Sequence, residues 1–327
     1  MRNLSDIYNN ENNIFYGMLI NDTTKCKKLK FLNLLRGNKN KYKRYTGSTL
    51  RYAGGKSWAV GYIVEYLPST IQRLVSPFVG GASVEIAVAK EMGIPVIAYD
   101  VFDILVNYWQ IQITKPQELY EFLKKLKPDR ETYTQIKQLL KEHWLGKIKL
   151  EPVTLAAYYY FNHNLSYGPG FLGWLSSVYA KQDVYDRMIQ KVRDFRVDNL
   201  WVECADFSEV IKEHKNDFLY CDPPYYLGED SSVFKGLYPQ RNFPIHHNGF
   251  KHELLRDLLH LHQGGFILSY NDSPAIREWY KDFEVIELPV HYTMGQGEKR
   301  IGENRSKKQI NHVKKMVELL IIKRATA

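Results

Sequence analysis

Asp222, followed by Pro223, Pro224, Tyr225 and Tyr226, is the stretch of the chain best equipped for chemistry. Two consecutive prolines hold a rigid turn that brings a carboxylate, the carbonyl of a residue without an N–H, and an aromatic face close together. Those are the parts needed to grip a planar ring that carries an exocyclic amine. The plain alternative is an ordinary strand end closed by a Pro-Pro turn, because a four-residue match alone has a real false-positive rate.

A second group of residues has the spacing of a nucleoside site. Leu74-Val75-Ser76 reads as a short strand, and Pro77-Phe78-Val79-Gly80-Gly81-Ala82 as a glycine turn. An apolar helix follows from Ser83 to Met92, then a strand from Ile94 that ends on Asp100. Strand, glycine turn, helix, strand and acid is the logic of a nucleoside-binding half-fold, where glycines admit the ligand and the acid accepts both ribose hydroxyls. Upstream, Arg51-Tyr52-Ala53-Gly54-Gly55-Lys56 is a glycine turn with a lysine, without the leading glycine and Ser/Thr spacing of a Walker loop. Downstream, Asp206 and Phe207 stand just past the strand Leu200–Cys204, placed either to hold a cofactor's adenine or to cap the helix starting at Ser208.

These residues need a scaffold, and the pattern supplies one. The run from Phe218 to Cys221 has the length and aromatic content of a buried strand, and Pro223 ends it, since proline cannot donate to a ladder. Asp222 then sits at a carboxyl end, where open α/β sheets place their ligand crevice. Further strands are expected at Gly265–Asn271, Val285–Pro289 and Val317–Ile322, with an amphipathic helix at Phe250–His262. The alternation breaks between about Thr114 and Asp198, where helical and charged segments lead into an aromatic, amide-rich stretch from Asn162 to Trp174. Its composition suits a base-reading loop, with Asn162, His163, Asn164 and Ser166 offering groups that discriminate base edges. A helical cap without a recognition role is the competing reading. The expected division is 1–50 as a basic extension, 51–113 with 199–327 as the catalytic body, and 114–198 as a target-recognition domain.

The chain has 327 residues, a formal charge of +9 and a sequence pI near 9.1, which point to a polyanionic partner. Between Thr23 and Val64 there is no Asp or Glu, while lysines and arginines recur with Phe31, Leu32, Leu34 and Leu35 between them. This stretch reads either as a phosphate-tracking arm or as a solvated tail. Cys26, Cys204 and Cys221 form no paired framework and no metal spacing, so no metal site is expected and a reducing compartment is. No apolar run approaches membrane-spanning length, and a cytoplasmic, DNA-associated protein is the expectation.

With these pieces in order, the chain resembles the D12-class (Dam-like, alpha-group) DNA adenine-N6 methyltransferases from about Arg51 to Lys323. The motifs that carry the resemblance are Arg51–Lys56, Pro77–Val84, Tyr99-Asp100, Ala205-Asp206-Phe207, Tyr220–Tyr225 and Leu268–Asn271. It implies a Rossmann-like α/β sheet with an inserted helical recognition domain, and transfer of a methyl group from S-adenosyl-L-methionine to N6 of an adenine flipped out of double-stranded DNA. The implied cofactor residues are Tyr52 and Lys56 at the methionine end, Phe78 and Gly80 beneath it, Asp100 at the ribose, and Asp206 with Phe207 at the adenine. Asp222 and the Pro223 carbonyl would accept the N6 hydrogens and Tyr225 would stack on the flipped ring. The setting is a restriction-modification system with a companion endonuclease, or an orphan methylase. Three departures stand out: Ala82 takes the place of a family glycine, tolerable if its φ is negative; Tyr52 replaces a commoner Trp, keeping an aromatic; and the stretch around Asn162 diverges most. Rival classes are an amino methyltransferase acting on RNA or on cytosine N4, and a catalytically silent DNA-binding relative.

Overall fold

A computed structural model describes residues 13–37, 41–226, 249–291 and 315–324. The segment with His246 and His247 and the basic stretch after Gly295 lie outside the described residues. Seven strands form one sheet: β1 (Leu74–Ser76), β2 (Val96–Asp100), β3 (Leu200–Cys204), β4 (Phe218–Cys221), β5 (Phe266–Asn271), β6 (Glu284–His291) and β7 (Lys315–Lys323), in the spatial order β3-β2-β1-β4-β5-β7-β6. The first five run parallel, while β7 is antiparallel to both β5 and β6. This is the α/β sheet expected from the sequence.

Strand periodicity divides the core between two faces. Leu74, Phe218, Tyr220, Ile267, Leu320 and Ile322 point to one face, which α1 (Asn13–Leu35), α2 (Val60–Tyr66), α3 (Ser83–Met92) and α4 (Asp103–Thr114) cover. Val75, Leu219, Cys221, Leu268, Leu319 and Ile321 point to the other, under α9 (Phe207–Glu213), α10 (His252–Leu261) and α11 (Pro274–Trp279). Burial on both faces explains why these strands read as continuous apolar runs.

Between β2 and β3 the chain adds α5 (Pro116–Leu123), α6 (Arg130–Trp144), α7 (Pro152–Leu165) and α8 (Gln182–Asp194). The helices expected for 114–198 are present, but they share one core with the first face: Tyr108 of α4 stacks on Tyr160 of α7 at 5.8 Å. The insertion is a helical layer fused to the sheet rather than a body with its own core.

The N-terminal stretch is also part of the body. Phe31, Leu32 and Leu35 of α1 are buried, Phe31 meets Tyr45 edge-on at 5.6 Å, and Tyr42 meets Tyr62 at 5.0 Å. Lys28 donates to the carbonyl oxygens of Glu65 (2.9 Å) and Leu67, capping the last turn of α2 with a cation. The solvated-tail reading therefore fails for the part of the extension whose side chains are described. The apolar positions between the lysines fix α1 to α3 and α2.

Candidate active site

β1 and β4 are neighbours at the centre of the sheet, and the connections from their carboxyl ends diverge there, opening a crevice. Four strand ends meet at it. After β1, the turn Pro77–Ala82 brings the backbone N–H of Gly80 to Asp100 Oδ2 (3.2 Å), while Oδ1 accepts from Phe102 (3.0 Å). Asp100 thus ties the β1 turn to its own. Gly80 has φ +42°, and a Cβ on Gly81 would come within 2.6 Å of Tyr52 Cβ, so side chains are excluded where the two glycine turns touch. Ala82 has φ +53°, not the negative value that would make its methyl harmless, so this position carries about 1–2 kcal/mol of left-handed strain.

After β3, Asp206 Oδ1 accepts from the Ser208 amide (2.9 Å) and hydroxyl (2.5 Å), so the capping reading of Asp206 is realised. Phe207 packs at 5.6 Å from Phe78 and at 5.1 Å from Phe250, forming an aromatic wall. After β4, Asp222 leaves 21% of its side chain exposed and receives Lys56 Nζ at 2.6 Å. Lys56 is 3% exposed and also donates to Gly54 O (2.9 Å), lies 3.5 Å from Glu318 of β7, and sits 4.9 Å over the Tyr225 ring. The resemblance puts Lys56 at the methionine end; its ammonium here is engaged with Asp222. Burial raises Asp222 to about 6, with Lys56 pulling the other way.

Every residue expected to act in catalysis or cofactor binding lines one cavity of about 480 Å³: Asp222, Pro223, Tyr225, Tyr52, Lys56, Phe78, Gly80, Asp100, Asp206 and Phe207. That volume is in the range of nucleoside-sized ligands. Sequence reasoning missed Glu85, Phe171 and Phe250 on its walls and Glu318 behind Lys56, and it gave His163 to base reading although the residue lines this cavity. Two of these had a signal: Glu85 and Glu318 are single acids inside otherwise apolar segments, Ser83–Ala89 and Met316–Ile322. Buried between Tyr52 and Tyr159, His163 is held neutral at about 4 and pairs through Nε2 with Arg51 O at 2.7 Å.

Like His163, the other residues expected to read DNA are not exposed, and this corrects the sequence reading. α7 extends to Leu165, so Asn162 and Asn164 are helical and fully buried, as is Ser166. Asn162 Oδ1 accepts from Leu172 N (2.8 Å), and Asn164 bridges Arg51 N (2.8 Å) and Thr49 O (3.3 Å). Ser166 Oγ lies 2.6 Å from Gly168 O. Buried polar groups need partners, and the ones made here are with the protein's own backbone, although Asn162 Nδ2 has none among the described residues. What the stretch shows to solvent instead is Tyr167 (68% exposed) and Trp174 (76%), joined by the bond from Tyr167 N to Trp174 O at 2.7 Å. Lys137 lies 4.6 Å over the Trp174 ring. Among the described residues no His/Cys/Asp/Glu group is arranged to hold a metal, and no helix is long and apolar enough to cross a membrane.

The chain is 24% identical over 289 residues to Type II methyltransferase M1.LlaDCHI of Lactococcus lactis subsp. cremoris, covering 81% of this chain and 93% of that protein. It is 24% identical over 306 residues to Type II methyltransferase M.FokI of Planomicrobium okeanokoites, covering 82% of this chain and 43% of that longer protein. Type II methyltransferase M.CviBI of Paramecium bursaria Chlorella virus NC1A matches at 21% over 54% of this chain and 68% of its own length. Residues 52–294 match the family described as D12 class N6 adenine-specific DNA methyltransferase, a span that runs from Tyr52 in the first glycine turn past the strand end that carries Asp222, and the chain belongs to that family.

Proposed function

We propose that this protein transfers a methyl group from S-adenosyl-L-methionine to N6 of an adenine flipped out of duplex DNA, as the modification activity of a restriction-modification system. The observation that carries the reading is the position of Asp222: a partly exposed carboxylate at a strand end, opening into the same cavity as the glycine turn, Asp100 and the Phe78–Phe207 wall. The cavity fits the donor. Its glycine cradle excludes side chains, Asp100 stands where a ribose would be held, and the aromatic wall suits an adenine ring. When bound, S-adenosyl-L-methionine supplies a methyl group already activated on a sulfonium.

The chain's own residues supply position and charge. The N6 lone pair of adenine is delocalised into the ring, and hydrogen bonds from N6 to Asp222 and to the Pro223 carbonyl localise it. Lys56 holds Asp222 in one orientation by the 2.6 Å bond, so little reorganisation is left for the reacting complex. Asp222 receives the proton that N6 loses on gaining the methyl group, and a carboxylate near 6 is a better acceptor than an ordinary one. Tyr225, buried against Tyr270 at 6.2 Å, offers a fixed ring on which a flipped base can stack. Tyr167 and Trp174, rather than the buried amides, are the proposed DNA-facing groups of the inserted layer. Residues 114–198 keep their proposed role in target recognition through this surface.

The test is methyl transfer from labelled S-adenosyl-L-methionine to duplex DNA, single-stranded DNA and RNA, with the product nucleoside identified by mass spectrometry. N6-methyladenine in duplex DNA is expected. Label found as N4-methylcytosine, or in RNA alone, overturns the reading.

A further inference from the structure

The acids around Lys56 outnumber it, and one of them faces the cavity without a cation. Lys56 Nζ is engaged by Gly54 O, Asp222 and Glu318. Glu85, at 2% exposure in the first turn of α3, accepts from Ser76 Oγ at 2.6 Å and lines the cavity. No cation lies within salt-bridge distance of it among the described residues. Lys251, exposed to solvent, is the other lysine that lines the cavity, and the strands beside the cluster add no positive charge. Tyr220 and Cys221 of β4 are neutral, pushed up by burial, and β5 presents the neutral Ser269 and Asn271. Burial raises both Glu85 and Asp222, and Glu85, which no described cation pairs, is raised further, so it is the acid that more readily keeps a proton.

The methyl donor and its product differ by one methyl group and one positive charge. We propose that Glu85 senses that charge: it releases a proton when the sulfonium enters the cavity and regains one from solvent when only the neutral thioether remains. This rests on the functional reading above and assigns Glu85 a role in distinguishing donor from product. Burial holds Glu85 at about 7, against a lowering by the Ser76 hydrogen bond and by the more distant Lys56, so the exchange falls near neutral pH. By linkage, a ligand whose binding releases a proton binds more tightly as pH rises, while one that releases none does not.

Calorimetry of the full chain with S-adenosyl-L-methionine and S-adenosyl-L-homocysteine, in buffers of different ionisation enthalpy, measures this directly. At pH 7 the sulfonium should release about half a proton more than the thioether. The ratio of their affinities should rise about threefold to tenfold from pH 6 to pH 8. Glu85→Gln should remove most of both differences, leaving only the smaller part, weighted toward pH 6, that Asp222 contributes. Ser76→Ala, which removes the hydrogen bond favouring ionised Glu85, should move the pH midpoint upward and decides the matter if Glu85→Gln does not fold. Equal proton counts for the two ligands, or an undiminished difference in Glu85→Gln, or an unmoved midpoint in Ser76→Ala, overturns the role of Glu85 alone. Failure of both ligands to bind overturns the functional reading with it.

Discussion

At the end of β4 the polar side chain of Asp222 opens toward the cavity, whereas at the end of α7 the side chains of Asn162, Asn164 and Ser166 are wholly enclosed. Both stretches mix polar groups with aromatics and turn residues, and sequence composition gives them equal claims to contact a ligand. The difference lies in the path the chain takes beyond each one. Pro223 and Pro224 end β4 abruptly, so Asp222 is left at the rim, bound among the described residues by Lys56. After Leu165 the chain folds back through the bridge between Ser166 and Leu175, over the Arg51 turn, and its amides become the bolts of that junction. The Arg51 guanidinium completes it, donating to the carbonyls of Asn164 (2.7 Å) and Ser166 (3.1 Å). Polar side chains at a strand's carboxyl end face the ligand, while those at a helix end beneath a returning loop serve the fold.

The largest effect expected from breaking this contrast is at Asp222. Asp222→Ala should lower methyl transfer by about a thousandfold or more, with the affinity for the methyl donor, followed by calorimetry, changed less than about tenfold. Donor affinity falling in parallel with the rate would move Asp222 from the target side of the cavity to the donor side.

On the other side of the comparison, Asn164→Ala should behave as a folding variant. It orphans the Arg51 amide and the Thr49 carbonyl, each buried group costing about 1–3 kcal/mol, and thermal or urea unfolding would show the loss. The methylated sequence, read from genomic DNA, should stay the parental one. A relaxed recognition site at full stability would return Asn164 to base reading.

The pH profile sharpens the reading of Asp222 further. The ionised form is the active one, so kcat/KM should fall about tenfold per pH unit below about 6. An acid limb near the ordinary carboxylate value would mean that Lys56 outweighs burial at this residue. Trp174→Ala, made on the exposed counterpart of the buried amides, should weaken DNA binding by about 1 kcal/mol or somewhat more, as loss of a stacking surface does, and leave the melting temperature in place. A melting-temperature drop without a change in DNA affinity would make Trp174 a cap over α6.

The smallest effect is at Ala82. Ala82→Gly removes the left-handed strain at φ +53° and should stabilise the chain by up to about 1 kcal/mol, or roughly 2 °C in melting temperature. No stabilisation would show that the turn already relaxes around the methyl group.

How much was legible depends on how local each signal is. Gly80, Pro77 and Pro223 restrict their own backbones, so the strand ends and the acids just beyond them could be read from single residues. The direction of Asn164 depends on Arg51 and Thr49, more than a hundred positions earlier, and no local pattern encodes it. α1 shows the same effect in reverse. Lys25, Lys27, Lys28 and Lys30 crowd its second half, yet the neighbouring Phe31, Leu32 and Leu35 decide that it docks. The pairing of Lys56 with Glu318 depends on β7 inserting between β5 and β6, a topological fact with no counterpart in spacing.

That insertion has a consequence for how the protein comes into being. Polypeptides emerge from the ribosome N-terminus first, and every described residue lining the cavity precedes Lys315 in the chain. Until β7 is threaded into place the flank of β5 that it will cover stays bare, and Lys56 is anchored on one side only. A translation product interrupted before β7 carries the whole set of cavity residues yet has no finished scaffold to aim them. Premature fragments of this methyltransferase would therefore be silent on the genome, and competence to mark DNA arrives in one late step with the strand that bears Glu318.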